Sequence, residues 1–388
     1  MYTNYIKNNY LNDVSKNFLA GLVTAIALLP EVSGFAIIAG IPPLYAIYSS
    51  AITVVILSLF GGRPAMVSAA AGSIALLLTD IIAKHGMGYM IYATLLAGVL
   101  QLIFGVWNIH KLIDYLPKSV MQGFVNALAL MILIAQLKQV PHQSLAAIVM
   151  VVISIISMYL LPRWFIKTPP ALIIMAVSIV VALLFKGSFE DIGSLAAQST
   201  ITPHIGLPDI PLNIHTLIVI FPTALCISLV GLIESLLTMP LINVMTKTEG
   251  NSKQEAIGQG FGNVVTSLLG GQGGCAMIGQ SVMNVQSGGR TRLSTLTSGI
   301  TLFIFVFAMK DLMLVIPTAS LIGIMITVSI ETFDWKSIAL NKGIKLTDLS
   351  VMLTTVVCVI LTHNLAIGVF LGVFLAIIYR YIFNVKIN

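Results

Sequence analysis

Charge is what this sequence of 388 residues lacks most. Asp, Glu, Lys and Arg together make up 9% of it, and hydrophobic residues 57%. A soluble domain carries roughly 25% charged residues, and the mean hydropathy here is +1.00. A water-soluble globular protein is therefore excluded. Cysteine is scarce as well: Cys226, Cys275 and Cys358 all fall in apolar stretches, with no Cys-x-x-Cys spacing. That argues against a disulfide framework or a thiolate metal site, and the three read as small packing residues. No nucleophile motif, P-loop or dinucleotide fingerprint is present, so neither an enzyme nor an ATP-driven pump is expected. The six histidines, at 85, 110, 142, 204, 215 and 363, lie near span ends or in loops without metal-ligand spacing. The net charge of +6 comes from basic residues scattered singly rather than from a patch, which argues against nucleic acid as a partner.

What is present is a succession of apolar runs. A helix crossing a bilayer needs roughly 20 residues. The runs predict fourteen spans: 18–38, 42–60, 66–82, 87–107, 117–136, 144–162, 169–185, 214–245, 253–269, 275–289, 293–309, 312–330, 347–363 and 366–381. The polar first 16 residues carry no cleavable signal peptide. With the N-terminus inside, sixteen basic residues (7, 16, 63, 111, 118, 163, 167, 247, 253, 290, 292, 336, 342, 345, 380 and 386) fall on the inner side. Only four (84, 138, 186 and 310) fall outside, as the positive-inside rule requires. The longest hydrophilic stretch, 186–213, divides the chain into two sets of seven. Seven is odd, so the second set enters from the opposite side, which makes an inverted repeat. The expected fold is an all-α polytopic membrane protein with 14 transmembrane segments in a 7+7 arrangement and both termini cytoplasmic.

Two spans are broken. Gly61-Gly62-Arg63-Pro64-Ala65-Met66-Val67-Ser68 and Gly270-Gly271-Gln272-Gly273-Gly274-Cys275-Ala276-Met277 each place a non-helical entry before a short apolar run. Interrupted spans at matching places in two halves point to a transporter's substrate site. Where a helix starts in mid-membrane, its first N–H groups have no partner and its end carries about half a positive charge. Two such ends make an anion site built mainly from backbone. The candidate contacts are Ser68, Ala69, Ala70 and Ala71 at segment 3, and Gly279, Gln280 and Ser281 at segment 10. Small residues at these places also permit close helix packing without any ligand.

Two acids, Glu31 and Glu234, lie well inside expected spans, 203 positions apart. Such residues are costly in a membrane and serve proton relays or ion coordination. Glu234 and Thr238 stand one turn apart on one helix face. Their oxygens suit Na⁺ or a proton rather than a transition metal. The competing reading is a neutral, hydrogen-bonded glutamic acid that pins two helices together. Arg290 and Arg292, with Arg63, read either as topology anchors or as a guide for incoming anions.

These residues carry a resemblance. Pro30-Glu31, then Ala39-Gly40-Ile41-Pro42-Pro43-Leu44-Tyr45-Ala46-Ile47-Tyr48, are similar to the signature of the sulfate permease (SulP) anion transporters. Gly62-Arg63-Pro64, the stretch Gly231 to Thr238, and Asn284 to Arg292 resemble further segments of that family. The resemblance implies a core domain of spans 1–4 and 8–11 (18–107 and 214–309), moving against a gate domain of spans 5–7 and 12–14 (117–185 and 312–381). The N-terminal segment 1–17 and the tail 382–388 would be cytoplasmic, and 186–213 the extracellular connection. It implies an anion bound between segments 3 and 10, and Glu234, beside Thr238, at the Na⁺ or H⁺ coupling position. Family members usually carry a STAS domain after the last span. The tail 382–388 holds none, so dimerisation through that domain is not carried over.

The expected function is secondary transport of a small anion, such as bicarbonate, sulfate or a carboxylate. It would be coupled to Na⁺ or H⁺ through Glu234, Thr238 and Glu31, by elevator-type alternating access in the cell membrane. The expected partners are the anion, the lipid bilayer and a second copy of the chain in a homodimer. Two alternatives remain: a nucleobase permease, which shares this fold, and an uncoupled anion channel. The chain lacks the Gln-Asn-x-Gly signature of the former.

Overall fold

A computed structural model describes residues 10–108, 116–164, 169–185, 187–193, 206–211, 213–338, 346–362 and 364–381. Basic residues 7, 111, 167, 186, 342, 345 and 386 lie outside the described residues, as do His110, His204, His363, positions 194–205 of the connection and the tail 382–388. Helices dominate because only a helix satisfies its own backbone in lipid. Those of the first repeat are α1 (Val14–Ala39), α2 (Pro43–Phe60), α3 (Gly72–His85), α4 (Met87–Val106), α5 (Lys118–Gln139), α6 (Leu145–Leu160) and α7 (Pro170–Leu184). The second repeat supplies α8 (Ile214–Thr246), α9 (Ser252–Leu268), α10 (Ile278–Gln286), α11 (Arg292–Ala308), α12 (Thr318–Thr332), α13 (Leu346–Thr362) and α14 (Leu365–Tyr381). Two-residue strands β1 (Ser68–Ala69) and β2 (Cys275–Ala276) precede α3 and α10.

Among the described residues, six helices are long and apolar enough to cross a membrane by length and composition alone. Five more are apolar but run 10–17 residues. The expected span 312–330 divides in two. A short helical turn, Lys310–Leu314, is followed by α12, which starts only after Pro317. Proline lacks an N–H and has a helix-ready φ, so it favours such starts. Pro42, Pro117 and Pro169 precede α2, α5 and α7 in the same way.

Packing comes in matched pairs. Helix α4 lies along α9 as α11 lies along α2, and α4 meets α8 as α11 meets α1. Helix α5 packs on α13 as α12 packs on α6. Exchanging α1–α7 for α8–α14 converts each pair into its mate, so one seven-helix plan is used twice. Strands β1 and β2 pair antiparallel, Ser68 with Ala276 and Ala69 with Cys275, which makes the two uses inverted. The strands stand 207 positions apart (68 to 275, 69 to 276). At that spacing the mate of Glu31 is Thr238, not Glu234, which sits one turn earlier. The α1–α4 and α8–α11 helices form one packed group, and α5–α7 with α12–α14 a second. The groups meet where α12 and α7 touch α1, α5 touches α3 and α14 touches α8.

Non-helical backbone at membrane depth survives only where its polar groups find protein partners. Here polar side chains of neighbouring helices supply them. Gly62 N donates to Glu255 Oε2 at 2.7 Å, Val67 N to Ser281 Oγ at 2.9 Å and Ala70 N to Ser50 Oγ at 3.1 Å. Asn284 Nδ2 donates to Ala65 O at 2.9 Å. In the second break, Gln272 N donates to Ser49 Oγ at 3.0 Å, Gly273 N to Thr94 Oγ1 at 3.1 Å and Gly274 N to Asn263 Oδ1 at 2.9 Å. Gly274 O accepts from Gln259 Nε2 and Asn263 Nδ2, both at 3.2 Å, and Ala276 N donates to Ser235 Oγ at 3.0 Å. A Cβ on Gly274 would lie 2.5 Å from Ala69 O, so only glycine lets the two breaks come together.

Asn263 serves both polar groups of Gly274 and is fully buried. Each orphaned buried group costs about 1–3 kcal/mol. Asn263→Leu should therefore lower the melting midpoint, followed by tryptophan fluorescence in detergent. Asn263→Asp, which keeps the acceptor, should fall between; an unchanged midpoint for Leu would contradict the assignment.

Candidate functional site

Helix α3 starts at Gly72 from an extended Ala71, and α10 starts at Ile278 from an extended Met277. No side chain caps either N-terminus. Both starts open on one cavity of about 340 Å³ between the two helix groups. The first group lines it with Glu31 and Phe35 of α1, Ala71 and Gly72, Glu234 and Leu237 of α8, and Met277, Ile278 and Gly279. The second contributes Phe124, Leu128 and Ile132 of α5, and Val328, Glu331 and Thr332 of α12.

Among the residues singled out from sequence, the cavity gathers Ala71, Gly279, Glu31 and Glu234. The others stand behind it. Ser68 and Ala69 are strand residues rather than a helix start, because pairing with Ala276 and Cys275 extends the backbone there. The Ala70 amide is taken by Ser50. The Ser281 hydroxyl accepts from Val67 N, which makes it a brace for the first break. Gln280 is buried and does not line the cavity, and its side-chain oxygen has no hydrogen-bond partner. Thr238 donates at 2.7 Å to the Glu234 main-chain carbonyl, not to the carboxylate.

Glu234 accepts from two donors. One is Ser73 Oγ, and the other is Cys275 Sγ at 3.0 Å, both onto Oε2. Cys275 is thus a ligand of the buried acid and not merely a packing residue. The spacing of β2 carried no hint of this, since the contact crosses from the second break to α8. Glu331 was also missed: it falls at the cytoplasmic end of an expected span, where a charge reads as an anchor. Glu255, fourth in α9, was missed for the same reason; it is 1% exposed and caps the first break.

The arginines guide no anion at this cavity. Arg63 donates to Ile242 O at 3.1 Å, to Thr248 Oγ1 at 3.0 Å and to Thr246 Oγ1, closing the end of α8. Arg292 reaches Ser58 O at 3.0 Å and Gly61 O at 2.6 Å at the end of α2. Arg290 donates to Val285 O at 2.6 Å and Gly289 O at 2.9 Å behind α10. Cations at helix C-termini are favoured by the last, unpaired carbonyls and the dipole. All three are spent there.

Residues 14–144 and 138–355 match the sequence model of the sulfate permease family. The chain belongs to that family. It is 41% identical over 374 residues to the putative sulfate transporter YbaR of Bacillus subtilis, across 96% of this chain and 78% of that one. It is 26% identical over 402 residues to the bicarbonate transporter BicA of a Picosynechococcus strain, across 95% of this chain and 70% of BicA. The transmembrane domain of a cyanobacterial BicA superimposes with a TM-score of 0.81 at 23% identity, covering 94% of this chain and 98% of that one. Murine Solute Carrier 26 family member A9 in an inward-facing state gives 0.83 at 18% identity, covering 99% and 71%. These two likenesses show the fold. The sulfate permease relatives and the apolar helices together make this chain a multi-pass membrane anion transporter and not an enzyme.

Gly279 offers a clean probe of the cavity. A Cβ built there meets nothing within 4 Å. Gly279→Val should fold with an unchanged melting midpoint, since it projects into open space, yet reduce anion uptake into proteoliposomes at least tenfold. A variant that transports normally would remove this residue from the permeation site.

Proposed function

We propose that this protein is a secondary transporter of a small anion such as bicarbonate or sulfate, coupled to Na⁺ or H⁺. The observation that carries the reading is the convergence of two uncapped half-helix starts, one from each repeat, on the cavity that Glu31 and Glu234 line. The anion lies between the amides that follow Ala71 and Met277, with Gly279 leaving room for close approach. Two helix ends supply about one positive charge in total. No Lys, Arg or His is among the residues lining the cavity. A monovalent anion is balanced by the dipoles only when the carboxyls are neutralised. A divalent anion needs a cation in addition.

Glu234 takes the coupling ion. Its Oε2 is held by Ser73 and Cys275, which leaves Oε1 for Na⁺ or a proton. The Thr238 hydroxyl donates to the Glu234 main-chain carbonyl and keeps a lone pair that a cation held at Glu234 would share. Transport proceeds by an elevator-type slide of the α1–α4 and α8–α11 group along the other group. The working form is a homodimer in the cell membrane with both termini cytoplasmic.

Purified protein in liposomes tests the coupling. A radiotracer panel of sulfate, bicarbonate, chloride, fumarate and oxalate first identifies the anion taken up best. An inward Na⁺ or H⁺ gradient should raise its uptake by wild type and leave Glu234→Gln unaffected. Wild-type uptake indifferent to both gradients would sink the coupling. Currents far above carrier turnover would sink transport by alternating access.

A further inference from the structure

A second cavity, of about 640 Å³, lies on the same boundary between the two helix groups. Ile38 of α1, Leu77 of α3 and Cys226 of α8 line it on one side. Ala135 and Lys138 of α5, with Asn364 just before α14, line it on the other. Helix α5 walls both cavities: Ile132 faces the central one, and Ala135, three residues on, faces the second. The layer between them is thin. Phe35 of α1 and Ile132 pack directly over Gly72, where a Cβ would lie 2.6 Å from Phe35 Cε1 and 3.0 Å from Ile132 Cδ1.

Charge distinguishes the two cavities. The central one is lined by carboxyls and by no Lys, Arg or His, whereas the second has Lys138 on its wall. Lys138 is exposed and forms no ion pair among the described residues. The other charged wall residue, Asp80, lies 3.8 Å from Lys84, one turn along α3. That pair is neutral as a unit, so the charge left uncompensated at this mouth is that of Lys138. A cleft with low-dielectric walls focuses such a charge. Topology does not account for it, because a lysine at this end runs against the positive-inside trend.

We propose that this second cavity is the outer vestibule of the anion path, and that Lys138 draws a small anion into it. This rests on the transport reading above and adds a station that the reading does not contain. Lys138 attracts without tight capture, since a hydrated ammonium on a flexible stem imposes no fixed geometry. The anion passes Phe35 and Ile132 when the first helix group slides along α5, and meets the half-helix amides beyond them. Lys138 has no counterpart in the central cavity, so anion entry from the two faces differs in its dependence on salt.

Cys226 is a built-in probe, half-buried on the vestibule wall and 3.5 Å from Asn364 Nδ2. Cys275 is fully buried, and Cys358→Ala removes the remaining half-buried thiol. In the purified Cys358→Ala chain, Cys226 is labelled with an anionic and with a cationic methanethiosulfonate of similar size. The ratio of the two rates reads the local potential whether or not anything is transported. Lys138→Gln should lower the anionic-to-cationic ratio about tenfold, the low end for a charged cleft. Lys138→Arg should keep it and Asp80→Asn should raise it. In 1 M choline chloride, where the screening length is about 3 Å, the variants should converge. In right-side-out membrane vesicles Lys138→Gln should also raise KM for radiolabelled sulfate or bicarbonate severalfold and leave kcat unchanged. In inverted vesicles KM should not move. A ratio indifferent to Lys138, or a Cys226 thiol that neither reagent reaches, overturns the vestibule and leaves the transport reading standing. So does a shifted ratio with an unchanged KM from outside. Wild type that takes up neither anion from either side overturns both.

Discussion

A peptide group left unpaired in hydrocarbon costs several kcal/mol, and this chain places two stretches of non-helical backbone at the middle of its fold. Everything around them is arranged to meet that cost. Five of the ten side-chain bonds described for the two breaks cross between repeats. Glu255, Ser281 and Asn284 of the second repeat serve the first break, while Ser49 and Thr94 of the first repeat serve the second. Each repeat completes the other's backbone, so neither half presents a satisfied structure alone. Fully buried Gln259 and Asn263 serve the second break from within its own repeat, and Gln101 of the first repeat accepts from Asn263.

With side chains spent on the flanks, the two half-helix starts keep their first amides for the cavity. The buried arginines follow the same economy at the opposite helix ends, where carbonyls rather than amides go unpaired. Arg63 and Arg292 each close the C-terminus of a helix distant in sequence. Arg292 uses both arms of its guanidinium fork, on Ser58 O and Gly61 O, which a lysine ammonium on a single stem does less well. A cavity without cationic side chains is the result. Its positive potential is of backbone origin and its negative potential comes from carboxyls.

Composition and periodicity carried the fold far. The span count, the two breaks and the division after α7 all follow from where charge and glycine fall, since hydrocarbon tolerates few alternatives. Ala71, Gly279, Glu31 and Glu234, singled out as small residues beside a break and acids inside a span, line one cavity. What was not legible depends on contacts between distant segments. That Ser281 braces Val67 and Cys275 reaches Glu234 follows from the strand pairing, and a two-residue strand has no periodicity to detect. Thr238 shares a face with Glu234, but a helical threonine hydroxyl commonly turns back to the carbonyl one turn earlier, as it does here. The mismatch between the acid spacing and the strand spacing shows that the repeats share a backbone without sharing the positions of their buried acids.

The short antiparallel ladder between Ser68–Ala69 and Cys275–Ala276 is a splint as well as a symmetry element. It ties the two half-helices to each other before either touches the second helix group. The gap between their amide ends is therefore fixed internally, like the jaws of a caliper locked at one setting. An anion would be measured against the same opening whichever face of the membrane it came from. Under the transport reading proposed above, selection among anions belongs to the splint, and any difference in affinity between the two faces to α5 and α12.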